Sequence, residues 1–538
     1  MSRRGNLAWR GWLGIGLAAA TIVAGVSTAG LSTAEASGTT GTVRAPVTST
    51  TDGLVRGSDT QGVDEFLGIP YAAPPVGTLR WQPPQPAARW SGVREATAFA
   101  PHCAQPASTF GTASTSEDCL YLNVYAPAGS TRSLAGRPVM VWIHGGAFVY
   151  GESDNYDPSA LVRAGAVVVS INYRLGAFGF LADSALADHG ASGNYGLMDQ
   201  QVALRWVRAN IGRFGGNPGN VTLWGESAGG LSVLSQLASP GARGLFDKAI
   251  VESGAYDLNP QSLTDAETSG TAFATKLGCD TGTSAQIAAC LRTVPTAQIV
   301  SAEPLAGYRP DIDGTVLTRS LQQSFATGQF NRVPILNGSN RDEYRLFVAE
   351  DALGGAPLTP AAYPTMVGTI PSVPTGDVAA AVSEYPLSDY PSPALALGAV
   401  GTDSEFACTA LTVDQLVSHC VPTYGYEFTD EQAPELFLPP QSFPYGAAHE
   451  SEVQYLFSYT DAPFPASLST QQQGLAASMR TSWLAFARNA RPSTTAAAQW
   501  PRFTDNTERL RTLDPQQSGV ETNFATTHNC GFWAGLGS

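Results

Sequence analysis

Short apolar runs alternate with helical patterns through the first half of the chain. Runs bounded by glycine and polar turns predict strands at residues 139–143, 166–171 and 248–252. Between them, apolar residues recur at helical spacing over residues 198–211 and again over 228–238. Strands that alternate with helices in this way predict a doubly wound, largely parallel sheet with helices on both faces.

The alternation weakens beyond residue 260. An alternating pattern at residues 116–127 predicts a half-buried strand, and later strands are predicted at 333–337, 422–428 and 453–457. Residues 351–398 are rich in proline, alanine and glycine and carry few strand signals. This segment is therefore expected to be a helical insertion packed over the sheet, near its functional rim.

The N-terminal segment has the pattern of an export signal. Three arginines among the first ten residues precede an apolar stretch at 12–26, and A-E-A at 34–36 resembles a cleavage site. Residues 1–36 are predicted to be a secretory signal peptide, and 37–51 a Ser/Thr/Gly-rich linker to a single domain at 52–538. An uncleaved anchor and a twin-arginine signal are the alternatives. No later segment has 18 consecutive apolar residues, so no stable membrane insertion is expected.

Composition narrows the function classes. The chain carries 30 basic and 45 acidic residues, a formal net charge of −15 that repels phosphate backbones, so nucleic acid is not an expected partner. Lysine occurs only at Lys248 and Lys276, and with abundant alanine and glycine this favours a high-GC bacterial source. Seven cysteines in an exported chain predict disulfides. The scattered histidines and the absence of C-x-x-C pairs predict no metal site.

Residues 221–230 read V-T-L-W-G-E-S-A-G-G, a buried strand followed by a tight turn and a helix. Gly225, Ser227 and Gly229 fit the pattern G-x-S-x-G, in which a serine stands on a strained turn with its oxygen clear of the backbone. The helix that begins near Ala228 directs its free N–H groups and positive dipole end at the same spot. Ser227 is therefore the candidate nucleophile.

A serine hydroxyl needs a base within hydrogen-bond reach and an acid that orients the base. On a sheet of this kind the chain order is serine, acid, histidine, which leaves His419, His449 and His528. His419 lies in a predicted helix and His528 near the C-terminus, whereas His449 lies in a loop after a predicted strand. His449 is therefore predicted to be the base, and later the acid that protonates the leaving group.

Two acidic residues and two backbone segments complete the expected site. Asp342 and Glu343 both follow a predicted strand at residues 334–338, and both are candidates for the orienting acid by position. An oxyanion hole needs backbone N–H donors aimed at the developing charge. Ala228 can supply one such group, and the glycine-rich turn at Gly146 and Ala147 can supply two more.

Several longer motifs lead to a family resemblance. They are S-E-D-C-L-Y-L-N-V from Ser116, W-I-H-G-G-A-F from Trp142, N-Y-R-L-G-A-F-G-F from Asn172, and F-G-G-N-P-G-N-V-T-L-W-G-E-S-A-G-G from Phe214. Together they resemble the type-B carboxylesterase/lipase family of α/β-hydrolases, the branch that includes the cholinesterases. The resemblance runs over residues 62–533 and implies an α/β-hydrolase fold with a serine mechanism.

The resemblance also implies roles for individual residues. Ser227 resembles the family's nucleophile, and the pattern G-x-N-x-D-E at 338–343 favours Glu343 over Asp342 as the acid. The family's G-x-x-H pattern is kept at residues 446–449. Arg80 and Glu117 resemble a structural ion pair. Where the family usually has a third glycine this chain has Ala147, whose backbone N–H is retained.

The same resemblance implies the disulfide pairing. Two disulfides are each expected to close a short loop. A third is expected to join a late cysteine to one more than a hundred residues earlier, which leaves Cys420 free. A bridge between Cys408 and Cys420 is the competing assignment. The implied pairs are Cys103–Cys119, Cys279–Cys290 and Cys408–Cys530.

These observations predict a secreted, extracellular serine carboxylester hydrolase without a metal or organic cofactor. Its partner is expected to be a small ester, neutral and fairly apolar, because the strand rim offers few basic residues. The loop between Cys103 and Cys119 lacks the tryptophan with which cholinesterases hold a quaternary ammonium group, which speaks against cholinesterase activity. A lipase, an amidase or polyester hydrolase, and a non-catalytic binding module are the alternatives.

Overall fold

An eleven-stranded sheet runs through the part of the chain that the computed structural model describes, residues 45–130, 136–187, 192–303, 307–492, 500–505 and 507–536. We number its strands in chain order: β1 Ser58–Thr60, β2 Val63–Pro70, β3 Tyr121–Pro127, β4 Arg137–Ile143, β5 Val167–Ile171, β6 Gly216–Glu226, β7 Lys248–Glu252, β8 Ile335–Asn340, β9 Thr423–Phe428, β10 Leu510–Leu513 and β11 Val520–Glu521. The predicted signal peptide lies outside the described residues.

The strand order across the sheet is β11-β10-β9-β8-β7-β6-β4-β5-β3-β2-β1. Strands β4 to β10 run parallel to their neighbours within this block. The outer strands β1, β2, β3 and β11 pair antiparallel. The prediction of a largely parallel sheet is confirmed.

Alternate residues of the central strands enter two separate cores, because successive side chains of a strand point to opposite faces. In β4, Val141 belongs to one core and Trp142 to the other. The helix Ala228–Ala238 packs in the first core through Leu231 and its neighbours, and the helix Thr470–Asn489 in the second through residues that include Trp483. Strands such as β7 are consequently buried along their whole length.

Helices cover both faces and the sheet's ends. The α-helices of the described residues are Ser159–Arg163, Gly176–Phe180, Tyr195–Asn210, Ala228–Ala238, Leu263–Lys276, Ser284–Thr293, Thr296–Ala302, Leu321–Ala326, Arg345–Leu353, Tyr363–Val367, Val378–Glu384, Pro393–Gly401, Cys408–Ser418, Thr470–Asn489, Phe524–Thr527 and Cys530–Leu536. A π-helical turn, Thr402–Ala407, joins two of them.

Within residues 351–398 the structure has helices and no long strand. The helices Tyr363–Val367, Val378–Glu384 and Pro393–Gly401 pack with Arg345–Leu353 around an apolar cluster separate from the two sheet cores. Ala448 also belongs to this cluster. The helical segment therefore packs directly against the loop that carries His449.

Two sequence predictions differ from the structure. Residues 453–457 were expected to form a strand, but Val453–Tyr455 is a 3₁₀-helix whose turns are closed by backbone bonds to the Val453 carbonyl. The apolar spacing there reflects burial against the second core and not strand pairing. The predicted linker at 37–51 also ends early, because Val47–Ser49 pairs as a strand with Leu54–Arg56.

Three disulfides tie loops to the core. Cys103 is bonded to Cys119, Cys279 to Cys290, and Cys408 to Cys530, which are the pairs that the resemblance implied. Cys420 is a free cysteine, and the alternative bridge from Cys408 to Cys420 is not formed.

Within the described ranges, none of the helices combines the length and apolar character that crossing a membrane requires. Searched over the same ranges, the side chains of His, Cys, Asp and Glu form no group of three or more that could hold a metal ion.

Candidate active site

Ser227 stands on a strained turn between β6 and the helix Ala228–Ala238. Its backbone has φ 53° and ψ −123°, a region that costs a non-glycine residue free energy and that surrounding structure must enforce. A Cβ atom on Gly229 would lie 2.0 Å from the carbonyl oxygen of Ile143, so only glycine fits two positions after the serine. The turn projects the half-buried Ser227 into a cleft at the carboxyl ends of the parallel strands.

His449 lies in the loop that follows β9 and faces the same cleft. Its Nδ1 atom is 2.6 Å from Oε2 of Glu343, and its backbone N–H donates to the Glu343 carbonyl at 3.2 Å. The ring lies between Phe347 and Phe406, with centroid distances of 5.2 and 5.0 Å. These contacts fix the orientation of the imidazole. Its Nε2 atom makes no hydrogen bond to the described residues, but Oε1 of Glu226 lies within ion-pair distance of it.

Glu343 follows β8 and is fully buried. Its Oε1 atom accepts a hydrogen bond of 2.7 Å from the backbone N–H of Asn340, which leaves Oε2 for His449. Asp342, the other candidate by position, makes an ion pair of 2.7 Å with Arg345 and accepts from the Ala447 N–H at 3.0 Å. Of the two neighbouring acids, the structure brings only Glu343 to the histidine.

The charge state of His449 is set by opposing effects. Burial lowers the pKa of the imidazole, but the charge of Glu343 and its hydrogen bond outweigh burial, so the pKa lies above its ordinary value. The Glu226 carboxyl, one residue before Ser227, lies 3.2 Å from Nε2. Burial, together with the charges of Glu450 and Glu452, raises the pKa of Glu226 well above its ordinary value.

The three predicted oxyanion donors lie at two backbone segments beside the serine. Gly146 (φ 97°) and Ala147 (φ 53°) form a turn after β4, and both line the cleft. Ala228 is the first residue of its helix, so its N–H has no acceptor within the helix. These N–H groups make no backbone hydrogen bond to any other part of the chain that is described.

The other histidine candidates lie elsewhere. The side chain of His419 is 66% exposed and pairs with Asp505 at the surface. His528 is buried between Asp403 (2.6 Å) and Glu427 (2.8 Å). Neither lines the cleft, which is consistent with the choice of His449 from its loop position.

Sequence reasoning missed several residues that line the cleft. Phe110, from the loop closed by the Cys103–Cys119 disulfide, stacks on Tyr150 with a centroid distance of 6.0 Å. Glu350 and Glu450 add two carboxylates to the lining. The position of Glu450 next to His449 was the available signal, whereas nothing in the sequence places Phe110 or Glu350 here. The predicted ion pair between Arg80 and Glu117 is present, with Nε to Oε2 at 2.7 Å.

A mostly parallel sheet with a strained serine, a buried histidine–glutamate pair and free N–H groups at the ends of its strands defines an α/β-hydrolase. Comparison with known proteins agrees. Residues 44–533 match the model of the carboxylesterase family. The chain belongs to this family, and it is a carboxylic ester hydrolase.

Individual relatives support the same assignment. The chain is 34% identical over 490 residues to the para-nitrobenzyl esterase of Bacillus subtilis (strain 168), covering 87% of this chain and 95% of that protein. It is 35% identical over 520 residues to the human cocaine esterase, with 91% of each chain covered. It is also 35% identical over 476 residues to the fumonisin B1 esterase of Sphingopyxis macrogoltabida, with 84% of each covered.

Proposed function

We propose that the enzyme hydrolyses carboxylic esters through a covalent acyl-enzyme on Ser227. The observation that carries the proposal is the pairing of His449 Nδ1 with Glu343 Oε2, which leaves Nε2 for the cleft that Ser227 also lines. A histidine held at one nitrogen by a buried carboxylate presents its other nitrogen as a base.

In the acylation step the Ser227 oxygen attacks the ester carbonyl carbon, and its proton moves to His449 Nε2. The oxygen that becomes negative is stabilised by the N–H groups of Gly146, Ala147 and Ala228. When the tetrahedral intermediate collapses, the bond to the alcohol oxygen breaks and Nε2 returns the proton to that oxygen. Glu343 stabilises the imidazolium that exists between these two transfers.

Deacylation repeats the sequence with water. Nε2 takes a proton from water, the hydroxide oxygen adds to the acyl carbon, and the acid leaves as Ser227 recovers its proton. The cleft has aromatic walls that include Phe110, Tyr150 and Phe347, which suit neutral, fairly apolar acyl or alcohol groups. The carboxylates of the lining disfavour anionic esters.

The test is hydrolysis of a p-nitrophenyl ester series from acetate to palmitate. Ser227→Ala should lose turnover by a factor of roughly 10³ or more. Ser253→Ala is the matched control, because Ser253 is also a serine with positive φ (48°) after a strand, but it is buried and does not line the cleft. Equal rates for wild type and Ser227→Ala would contradict the proposal. The chain-length profile separates a short-chain esterase from a lipase.

We also propose that the enzyme is exported and that residues 351–398 form a cap beside the site. The three disulfides support an oxidising destination. The packing of the helices Tyr363–Val367 and Pro393–Gly401 near Ala448 supports a cap. N-terminal sequencing of protein recovered outside the cell should find a start after residue 36. A start at Met1 would contradict export by a cleaved signal.

A further inference from the structure

We propose that Glu450 is a positioning residue, whose hydrogen bond to Tyr459 holds the turn that aims the imidazole of His449 at Ser227. This role rests on the proposed function, in which His449 is the base that activates Ser227. Glu450 acts through the backbone of the turn and does not need to touch the substrate.

Residues 448–451 form a tight turn with His449 and Glu450 at its centre. The backbone N–H of Ser451 donates to the Ala448 carbonyl at 3.2 Å, which closes the turn. Glu450 has φ 70°, whereas the φ of His449 is negative. A negative φ followed by a positive φ is the pattern of a type II turn, whose third residue is normally glycine or asparagine. Glutamate is therefore an unfavourable residue at this position.

The strained backbone of Glu450 needs a contact that enforces it. A residue with a Cβ atom is destabilised in the left-handed region, so neighbouring structure must hold it there. The Tyr459 hydroxyl donates to Oε1 of Glu450 at 2.6 Å. The start of the turn is held separately, because the Ala448 carbonyl also accepts from Asn340 Nδ2 at 2.9 Å. The bond from Tyr459 therefore acts on the strained half of the turn, one residue after His449.

Tyr459 is itself fixed by the fold. Its backbone pairs with Tyr156 in a two-stranded antiparallel sheet. Its ring contacts those of Tyr156 and Phe437, at centroid distances of 5.6 and 4.9 Å. Tyr156 in turn belongs to the second core. A hydroxyl held in this way can fix the Glu450 carboxylate, and through it the backbone that carries His449.

A small rotation of this turn changes the direction of the imidazole. Nε2 must reach the hydroxyl of Ser227 while Nδ1 stays 2.6 Å from Glu343 Oε2. Displacing a reacting group by about 1 Å can cost roughly 10²-fold in rate. Loss of the Tyr459 bond should therefore lower kcat with little effect on KM, since Tyr459 does not line the cleft.

The experiment exploits the freedom of glycine to adopt positive φ without strain. Glu450→Ala removes the carboxylate and keeps the Cβ atom, so kcat for a p-nitrophenyl ester should fall roughly tenfold to hundredfold. Glu450→Gly also removes the carboxylate but supplies the favoured turn residue, so kcat should stay within roughly threefold of wild type. Glu450→Gln keeps an acceptor for Tyr459 without the charge and should stay within the same limit.

Tyr459→Phe tests the donor of the same bond. It should lower kcat roughly tenfold in the wild-type chain but less than about twofold in Glu450→Gly, where the bond is already absent. Glu508→Ala is the matched control. Glu508 is also a glutamate with positive φ (39°) whose carboxylate accepts a side-chain hydrogen bond, from Gln415, but it lies outside the cleft. Its replacement should change kcat less than about twofold.

A kcat for Glu450→Gly at or below that of Glu450→Ala would overturn the inference, because the loss would then come from the missing carboxylate and not from the backbone. A Glu450→Gln variant as slow as Glu450→Ala would also overturn it, since charge would then be the cause. An unchanged kcat in Tyr459→Phe, or an equal loss in both backgrounds, would do the same.

Thermal unfolding shows which variants are folded. If Glu450→Ala does not fold, the comparison of Tyr459→Phe in the wild-type and Glu450→Gly chains still tests the bond. All of these results leave the proposed function standing, since that depends on the loss of turnover in Ser227→Ala.

Discussion

The Glu343 carboxylate lies 2.6 Å from Nδ1 of His449, although 106 residues separate the two in the chain. The adjacent acid, Asp342, holds Arg345 and the Ala447 N–H instead. Two carboxylates that follow the same strand therefore have different roles. Glu343 orients the candidate base, and Asp342 holds the loop in which that base lies.

Substitutions at Glu343 and Asp342 test these two roles separately. Glu343→Gln keeps the shape but removes the charge that stabilises the imidazolium, so kcat/KM should fall by roughly 10³-fold or more. Asp342→Asn is the matched control and should cost less than roughly tenfold, because its carboxylate does not contact His449. Steady-state kinetics with a p-nitrophenyl ester measures both. A larger loss in Asp342→Asn would contradict the assignment of the acid.

The pH profile gives an independent readout of the same pair. If His449 is the base, as proposed, it must be neutral to accept a proton, so activity should be lost as the pH falls through its pKa. Glu343 raises that pKa against the opposing effect of burial. Any residual activity of Glu343→Gln should therefore keep its acid limb at lower pH than wild type. An acid limb at unchanged or higher pH would show that another group controls the profile.

The nucleophile turn should reject any side chain at Gly229. A Cβ atom there would lie 2.0 Å from the backbone oxygen of Ile143, so Gly229→Ala must displace β4 or the helix and should destabilise the protein by roughly 1–3 kcal/mol. Gly474→Ala is the control, because Gly474 lies in the helix Thr470–Asn489 with nothing within 4 Å of a new Cβ. It should stabilise the protein by up to about 1 kcal/mol. Thermal or urea unfolding compares the two.

Removing the Cys408–Cys530 disulfide should destabilise the protein more than replacing the free cysteine Cys420. It closes a segment of 122 residues, and removing both of its cysteines as Cys408→Ala with Cys530→Ala should cost roughly 2–5 kcal/mol. Cys420→Ser should cost little, since Cys420 is free and only partly buried. Thiol titration of denatured, unreduced wild type should find one thiol per chain, and none in Cys420→Ser.

His528 should stabilise the fold most below neutral pH. Burial lowers its pKa, but the hydrogen bonds and charges of Asp403 and Glu427 outweigh burial and raise the pKa to about 10. A pKa raised on folding gives stability that is complete below the unfolded value of about 6.5 and is lost as the pH rises through about 10. His528→Gln should therefore lose roughly 3 kcal/mol relative to wild type at pH 6 and much less near pH 10. A difference independent of pH would contradict this charge state.

Sequence patterns predicted the parallel strands and the nucleophile turn because both depend on local spacing. They could not choose between Asp342 and Glu343, since the choice depends on which partner each side chain contacts after folding. Glu343 was chosen from the family motif instead. Glu350 and Phe110 escaped notice for the same reason, because they reach the cleft only through tertiary packing. At residues 453–457 a strand was predicted wrongly, because the buried apolar residues of a 3₁₀-helix have a spacing similar to that of a strand.

The proposed catalytic groups lie at the ends of β4, β6 and β8 and in the loop after β9, so no short contiguous fragment of the chain contains them all. Hydrolysis during refolding therefore reports the last step of assembly. A refolding chain can regain secondary structure and compactness before it hydrolyses any ester. Turnover begins only when these distant segments are in contact.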